Sequence, residues 1–185
     1  MKNMSSKRVF NSLKKRQKGL TMIETIFVML LVLGIILYAV SKYNEGQAAS
    51  NLNQEQSNII GVIGKIKSKY NTAPDFTGVT ADILRNAEIF PDEMVSGTTV
   101  HSLLGGTITA APANAVGTND AVAMTIPGYS KKACNGITER IENSVYSMTV
   151  NGTVVKAANT PMNRTTVSTA CVTGNNTVVF LIGKV

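Results

Sequence analysis

The sequence has few of the residues that build catalytic or metal centres. It contains no Trp, one His and two Cys, and aromatic residues make up 5% of the chain. Two thiols with a single remote imidazole make a poor zinc site. No P-loop and no Gly-x-Gly-x-x-Gly fingerprint is present. We therefore expect no enzymatic activity, no catalytic residue, and no bound cofactor or metal.

The positive charge is concentrated at the amino terminus. The formal net charge is +7, from 18 Lys and Arg against 11 Asp and Glu. Residues 1–19 hold seven of these basic residues and no acidic one, so residues 20–185 are formally neutral. A nucleic-acid-binding domain carries its basic residues on the folded part, often with aromatics for stacking. We expect no specific nucleic-acid contact.

A continuous apolar segment follows directly, from Leu20 to Val40, and Glu24 is its one charged residue. A helix of this length spans about 31 Å at roughly 1.5 Å per residue. That length matches the hydrocarbon core of a bilayer, which is about 30 Å thick. Because the basic residues precede the segment, the positive-inside rule places the amino terminus in the cytoplasm. The sequence predicts a membrane-spanning helix over residues 20–41, with everything after it outside.

Three interpretations of this segment are open. A secretory signal peptide has the same order of charge and apolarity, although the cut site near residues 46–48 is weak. A simple signal anchor explains the length and charge but not Glu24, since a carboxylate in hydrocarbon costs about 2.5–3.5 kcal/mol. In the third, the chain is cut after Gly19. Glu24 then lies one helical turn from the new α-amine of Leu20, and could neutralise it or the amine of a neighbouring copy.

The run Lys18-Gly19-Leu20-Thr21-Met22-Ile23-Glu24, before an uninterrupted apolar helix, resembles the processing site of type IV prepilins. The resemblance implies that a membrane-embedded prepilin peptidase cuts between Gly19 and Leu20. It also implies that Glu24 and Leu20 act in fibre assembly. Many pilins are methylated at the new terminus.

The length of the leader indicates a branch of this family. A class III leader of 19 residues, followed by Leu rather than Phe, resembles type IVb prepilins. Three short motifs in the later chain are similar to the PilS-type pilins of conjugative or thin pili: Phe90–Met94, Gly105-Gly106 and Thr125–Pro127. The resemblance implies the type IV pilin fold, in which a long amino-terminal helix packs on an antiparallel sheet.

The polar chain after Val40 keeps a helical pattern over residues 42–71. Apolar residues recur every three or four positions, with one gap at Glu55 and Gln56. The stripe consists of Ala48, Leu52, Ile59, Ile63, Ile66 and Tyr70. The pattern predicts an amphipathic second half of the same helix, ended before Pro74. We expect Gly46, Gly61 and Gly64 to mark close packing against a sheet.

Residues 72–185 are predicted to form an α+β head. A short helix follows Thr80 as its N-cap, and a second covers residues 130–143. Strands are predicted over residues 106–111, 121–127, 144–150, 153–157 and 177–182. Asn151-Gly152 between two of these strands is typical of a type I′ hairpin turn.

Cys134 and Cys171 are too far apart in sequence for a redox motif. If the head lies outside the cytoplasm, a disulfide between them is expected. In pilins the corresponding bridge bounds a carboxy-terminal region, here residues 134–171, which would enclose the hairpin.

The leading hypothesis is a structural subunit that forms a helical homo-oligomeric fibre. The precursor would be held in the inner membrane, processed by the peptidase, and passed by membrane assembly machinery to a pilus on the cell surface. Conjugation, cell–cell contact and adhesion are all compatible with such a fibre. The alternative is a minor pilin or pseudopilin that acts as an adhesin, a binding module or a secretion-system component.

Overall fold

The computed structural model describes residues 22–184, which divide after Asn44 into two compact units. Helix α1 runs from Met22 to Lys69 and contributes to both. In the first unit the described residues are helical and exposed throughout. The second unit, called the head below, consists of the second half of α1 together with residues 72–184, for which an α+β fold was predicted.

The head contains three further helices and seven strands among its described residues. The helices are α2 (Ala81–Asn86), α3 (Lys131–Ile141) and α4 (Arg164–Ala170). The strands are β1 (Val95–Ser96), β2 (Thr99–Val100), β3 (Thr109–Ala113), β4 (Ala121–Tyr129), β5 (Ser147–Val150), β6 (Thr153–Lys156) and β7 (Asn176–Gly183). Single 3-10 turns cover Asp92–Met94 and Glu142–Ser144.

Five strands form one antiparallel sheet in the order β3-β4-β7-β5-β6, and β1 pairs with β2 in a separate small hairpin. The last strand, β7, lies between β4 and β5. Its pairing with β4 runs from Ala121↔Gly183 to Tyr129↔Asn176, with a bulge after Ile126. The centre of the sheet therefore cannot form until the end of the chain is in place.

The head is built around the second half of α1. Its residues Ile59, Val62, Ile63 and Ile66 are at most 2% exposed. They belong to one apolar core with the inward residues of β4 and β7, such as Met124 and Phe180. Each fully buried side chain of this size contributes about 1.5–3 kcal/mol relative to exposure. The predicted fold, a long helix packed on an antiparallel sheet, is confirmed.

Capping and turn residues act as the sequence predicts. The hydroxyl of Thr80 accepts a hydrogen bond from the backbone N–H of Ile83 at the start of α2. Asn151 and Gly152 have φ angles of 50° and 80° in the turn between β5 and β6. Positive φ at both central positions is the requirement of a type I′ turn.

The expectation for three glycines of α1 is wrong. A Cβ atom added at Gly46, Gly61 or Gly64 would meet nothing within 4 Å, because these positions lie on the exposed side of the helix. Close approach occurs instead at Gly136 of α3, where a Cβ would lie 2.5 Å from the side chain of Leu52.

Two elements were not predicted, and several boundaries move. Helix α4 has the sequence Arg-Thr-Thr-Val-Ser-Thr-Ala, whose β-branched residues have low helix propensity. It starts because the side chain of Asn163 accepts a hydrogen bond from Thr166 N. The β1–β2 hairpin is too short to produce a pattern. Residues 106–108 and 144–146 precede β3 and β5 rather than belonging to them.

We predict opposite effects for two glycine substitutions. In Gly105→Ala the new Cβ would lie 2.9 Å from the carbonyl oxygen of Pro127 and 3.0 Å from Ile126 Cγ2. Because the backbone at Pro127 cannot move without a cost in free energy, we expect the free energy of unfolding to fall by about 1–3 kcal/mol. The control Gly64→Ala lies in an exposed helix with open space and should gain roughly 0.5–1 kcal/mol. Thermal unfolding followed by circular dichroism measures both, and a Gly105→Ala variant as stable as the control would contradict the packing described here.

Candidate assembly site

The first unit presents an unbroken apolar helical surface. Its large side chains are all exposed, for example Phe27 at 63% and Leu37 at 71%. By length and composition α1 is long and apolar enough to cross a membrane. The hydrophobic effect favours removing such a surface from water, into lipid or against other helices.

The predicted assembly residues fall at the edge of the described chain. Glu24 lies in the first turn of α1 and is exposed. Gly19 and Leu20, the predicted cleavage pair, lie outside the described residues. The predicted contact of Glu24 with the Leu20 amine is therefore still a prediction.

A second glutamate of α1, Glu55, is buried in the head. It is 0% exposed. Its Oε1 accepts a hydrogen bond from the Tyr129 hydroxyl at 2.6 Å, and its Oε2 accepts one from the backbone N–H of Leu103 at 2.9 Å. The Ser102 hydroxyl also donates to Oε1. In the described chain the carboxylate is thus held by three neutral donors, with no cation bonded to it.

The surroundings of Glu55 keep Tyr129 protonated. Burial raises the pKa of the Tyr129 phenol well above its usual value, and the neighbouring Glu55 charge raises it further. The neutral hydroxyl is therefore available as a donor at any physiological pH. Hydrogen bonds to an ionised group are about twice as strong as neutral ones. This cluster ties α1 to strand β4 and to the chain just before Leu104.

Sequence reasoning missed this cluster. In the sequence, Glu55 and Gln56 form a gap in the apolar stripe of α1. Ile59, Ile63 and Ile66 predicted which face of the helix is buried, and Glu55 lies one turn before Ile59 on that face. A single acid at a position that should be apolar was the available signal, but nothing in the sequence identified Tyr129 and Ser102 as its partners.

Other polar side chains of α1 hold the segment between α2 and β2. Lys65 Nζ donates to the Glu88 carbonyl at 3.2 Å, and Lys69 Nζ donates to the Ala87 carbonyl at 3.0 Å. Asn58 donates to Glu93 Oε1 at 2.7 Å. The second half of α1 therefore organises this loop as well as the sheet.

The two cysteines join α3 to the segment after α4. Cys134 in α3 and Cys171 after α4 form a disulfide with a Cα–Cα distance of 5.9 Å. The bridged segment encloses the β5–β6 hairpin. The Asn151 side chain links that hairpin to Asn176, donating to its side-chain oxygen at 2.9 Å. Asn176 is itself 0% exposed, so the turn, β7 and the bridged segment form one connected unit.

No group of three or more His, Cys, Asp or Glu side chains suited to a metal ion occurs within residues 22–184. His101 is exposed and its ring Nε2 lies 2.8 Å from the Thr99 hydroxyl. The first unit thus exposes an apolar helix, and the second contains a buried cluster of hydrogen bonds around Glu55.

Comparisons with known proteins agree with this architecture. The family model described as PilS N terminal matches residues 49–183. Among solved structures, the type IV b pilin from Salmonella typhi matches with a TM-score of 0.54 and 21% identity, over 69% of this chain and 97% of that one. TcpA, a type IV pilin from Vibrio cholerae El Tor, matches with a TM-score of 0.55 and 16% identity, over 71% and 98%. The search of curated proteins found no match.

The fold is therefore that of the type IVb pilins, whose structures match the described helix and sheet. The chain belongs to the PilS family, since the family model covers most of its length. The predicted resemblance to PilS-type pilins is confirmed. The family match begins at residue 49 and so does not include the predicted cleavage site.

We predict that removing the Glu55 carboxylate destabilises the head. In Glu55→Ala the Tyr129 and Ser102 hydroxyls and the Leu103 N–H lose their acceptor, at a cost of about 1–3 kcal/mol or more. Glu93→Ala is the matched control, because Glu93 also accepts hydrogen bonds from side chains, here Asn58 and Gln54, but is exposed. It should cost less than about 1 kcal/mol. Chemical denaturation compares the two, and equal stabilities would rule out the anchoring role of Glu55.

Proposed function

We propose that this chain is the structural subunit of a type IVb pilus. It is inserted in the inner membrane as a prepilin with its amino terminus in the cytoplasm. Prepilin peptidase removes residues 1–19, and the mature chain polymerises through its apolar helix. The fibre then projects from the cell surface, where it serves conjugation, cell–cell contact or adhesion.

One observation carries this proposal: in the described part of α1 from Met22 to Tyr43, every large apolar side chain is exposed. Later in the same helix one apolar face is buried by the head, at Ile59, Val62, Ile63 and Ile66. A fold that buries one half of a helix and leaves the other uncovered needs a second environment. Lipid supplies it for the precursor, and other copies of α1 supply it in a fibre. Membership of the PilS family supports the second of these.

Glu24 is the assembly residue in this proposal. Inside a helical bundle its charge needs a partner, since an unpaired buried carboxylate is strongly unfavourable. Cleavage after Gly19 creates that partner, the amine of Leu20, on each copy. Pairing Glu24 of one copy with the amine of the next would fix the axial register while the apolar surfaces supply cohesion at about 25 cal/mol per Å².

We predict that the mature chain begins at Leu20. Sheared surface fibres should contain a chain of residues 20–185, detected by intact-mass measurement and amino-terminal sequencing. We expect Gly19→Val to prevent removal of the leader, because the substitution places a bulky side chain next to the bond that the peptidase cuts. The control Gly46→Ala changes a glycine of the exposed helix surface and should be processed normally. A mature terminus elsewhere would overturn the proposal.

We predict that Glu24→Ala reduces fibre yield at least about tenfold, since loss of one partner of a buried ion pair costs several kcal/mol. Glu45→Ala is the matched control, being an exposed glutamate on the same helix but beyond the apolar run. Immunoblots of sheared fibres against whole cells measure the yield. Normal assembly by Glu24→Ala, with the subunit present at wild-type level, would exclude the pairing.

A further inference from the structure

Helix α3 lies beside α1 and runs in the same direction. Lys132 and Ala133 at its start line a small apolar cavity of about 90 Å³ with Ala48 and Leu52 of α1. One turn later Gly136 faces Leu52, and at its end the Arg140 guanidinium donates to the Gln56 side-chain oxygen at 3.0 Å. The amino end of α3 is therefore the end nearest Ala48, where α1 enters the head.

This edge of the head carries an excess of positive charge. Lys131 and Lys132 are both exposed. Neither ammonium group has a bonded partner among the described residues. Residues 101–106 and 121–138, which lead into this edge, contain no acidic side chain. On α1 between Val40 and Leu52 the charges of Lys42 and Glu45 cancel. The Glu55 carboxylate, bonded to Ser102 and Leu103, is 0% exposed, so the two lysines of α3 are the exposed charge of this edge.

Apolar side chains lie next to these lysines. Leu104 lines the same cavity as Lys132, and Leu103 is 38% exposed. The Glu55 cluster fixes this pair, because the Leu103 N–H and the Ser102 hydroxyl are both bonded to the carboxylate. A rigid edge with apolar side chains beside long cationic ones is suited to a lipid–water interface.

Chain length keeps this edge close to any bilayer that holds the apolar segment. Ala48 is eight positions after Val40, so the two are at most about 29 Å apart whatever the chain direction. Such a short tether gives the lysines a high effective concentration at the membrane surface. This step rests on the proposed function, in which residues 20–41 span the inner membrane before assembly.

We infer that Lys131 and Lys132 form a docking surface for anionic phospholipid headgroups of the outer leaflet. The contact holds the head of the unassembled subunit against the membrane by charge, and it is released when the subunit enters the fibre. Lipid phosphates match the surface in charge, and they are present at the distance that the tether sets. This attraction increases the affinity of each lysine for an anionic surface by roughly fivefold.

The test uses the full chain in lipid nanodiscs. One preparation contains only zwitterionic phosphatidylcholine, and the other contains about one third phosphatidylglycerol, which gives its surface a negative potential. A brief pulse of an amine-acetylating reagent is followed by peptide mass spectrometry. Lys67 on the far part of α1 is the internal control, since it is also without a bonded partner in the described chain.

We expect Lys131 and Lys132 to react about fivefold more slowly in the anionic discs, with the difference removed by high salt. Lys67 should react equally in both. Equal rates for Lys131 and Lys132 in both lipids would overturn the inference. So would slowing that follows the number of copies per disc rather than the lipid, which would indicate contact with a second copy of the chain.

A variant pair separates charge from fold. Lys131→Gln with Lys132→Gln removes two charges, and Lys67→Glu changes the net charge by the same amount elsewhere. Hydrogen exchange of residues 101–106 should lose its dependence on anionic lipid in the first variant only, and persistence of that dependence would overturn the inference. Failure of the chain to enter discs would instead count against the membrane-anchored precursor, so the two proposals fail separately.

Discussion

The structure depends on the burial of one half of a single helix by the domain that follows it. The sheet, α2 and the loop before β2 are assembled against one apolar face of this helix, formed by Ile59, Val62, Ile63 and Ile66. Without them the inward residues of β4 and β7 would have no second layer to pack against. Polar residues of the same helix fix how the head packs against it through directional hydrogen bonds. Lys65 and Lys69 donate to backbone carbonyls, and Glu55 accepts from three donors.

The same helix carries an opposite requirement before the head. From Met22 to Tyr43 its side chains have no cover from the described chain and no polar face to make them compatible with water. Such a large exposed apolar surface marks an interaction site. The head therefore has its own apolar core, whereas the apolar half of α1 still needs contacts with lipid or with other copies of the chain. Formal neutrality of residues 20–185 fits this condition, because low net charge favours association.

Features that follow local rules were predictable from the sequence, and features that depend on partners remote in sequence were not. The stripe on α1, the turn at Asn151-Gly152 and the N-cap at Thr80 each follow local rules. The sheet order does not, because it places β7 between β4 and β5 through pairings remote in sequence. Helix α4 consists of residues with low helix propensity, and it is stabilised by an N-cap at its start and by the disulfide that follows it. Glu55 disrupts a pattern, and its role appears only when Tyr129 and Ser102 are brought to it.

The central claim is that the exposed half of α1 becomes the interior of a fibre. It is tested most directly by single cysteines in assembled, sheared fibres, with both native cysteines already paired in the described chain. A cysteine at Ile35, which is 68% exposed in the subunit, is compared with one at Val154, 57% exposed on the head. We predict that a membrane-impermeant maleimide labels position 154 and leaves position 35 unlabelled until the fibre is dissociated. Equal labelling of both positions in intact fibres would contradict it.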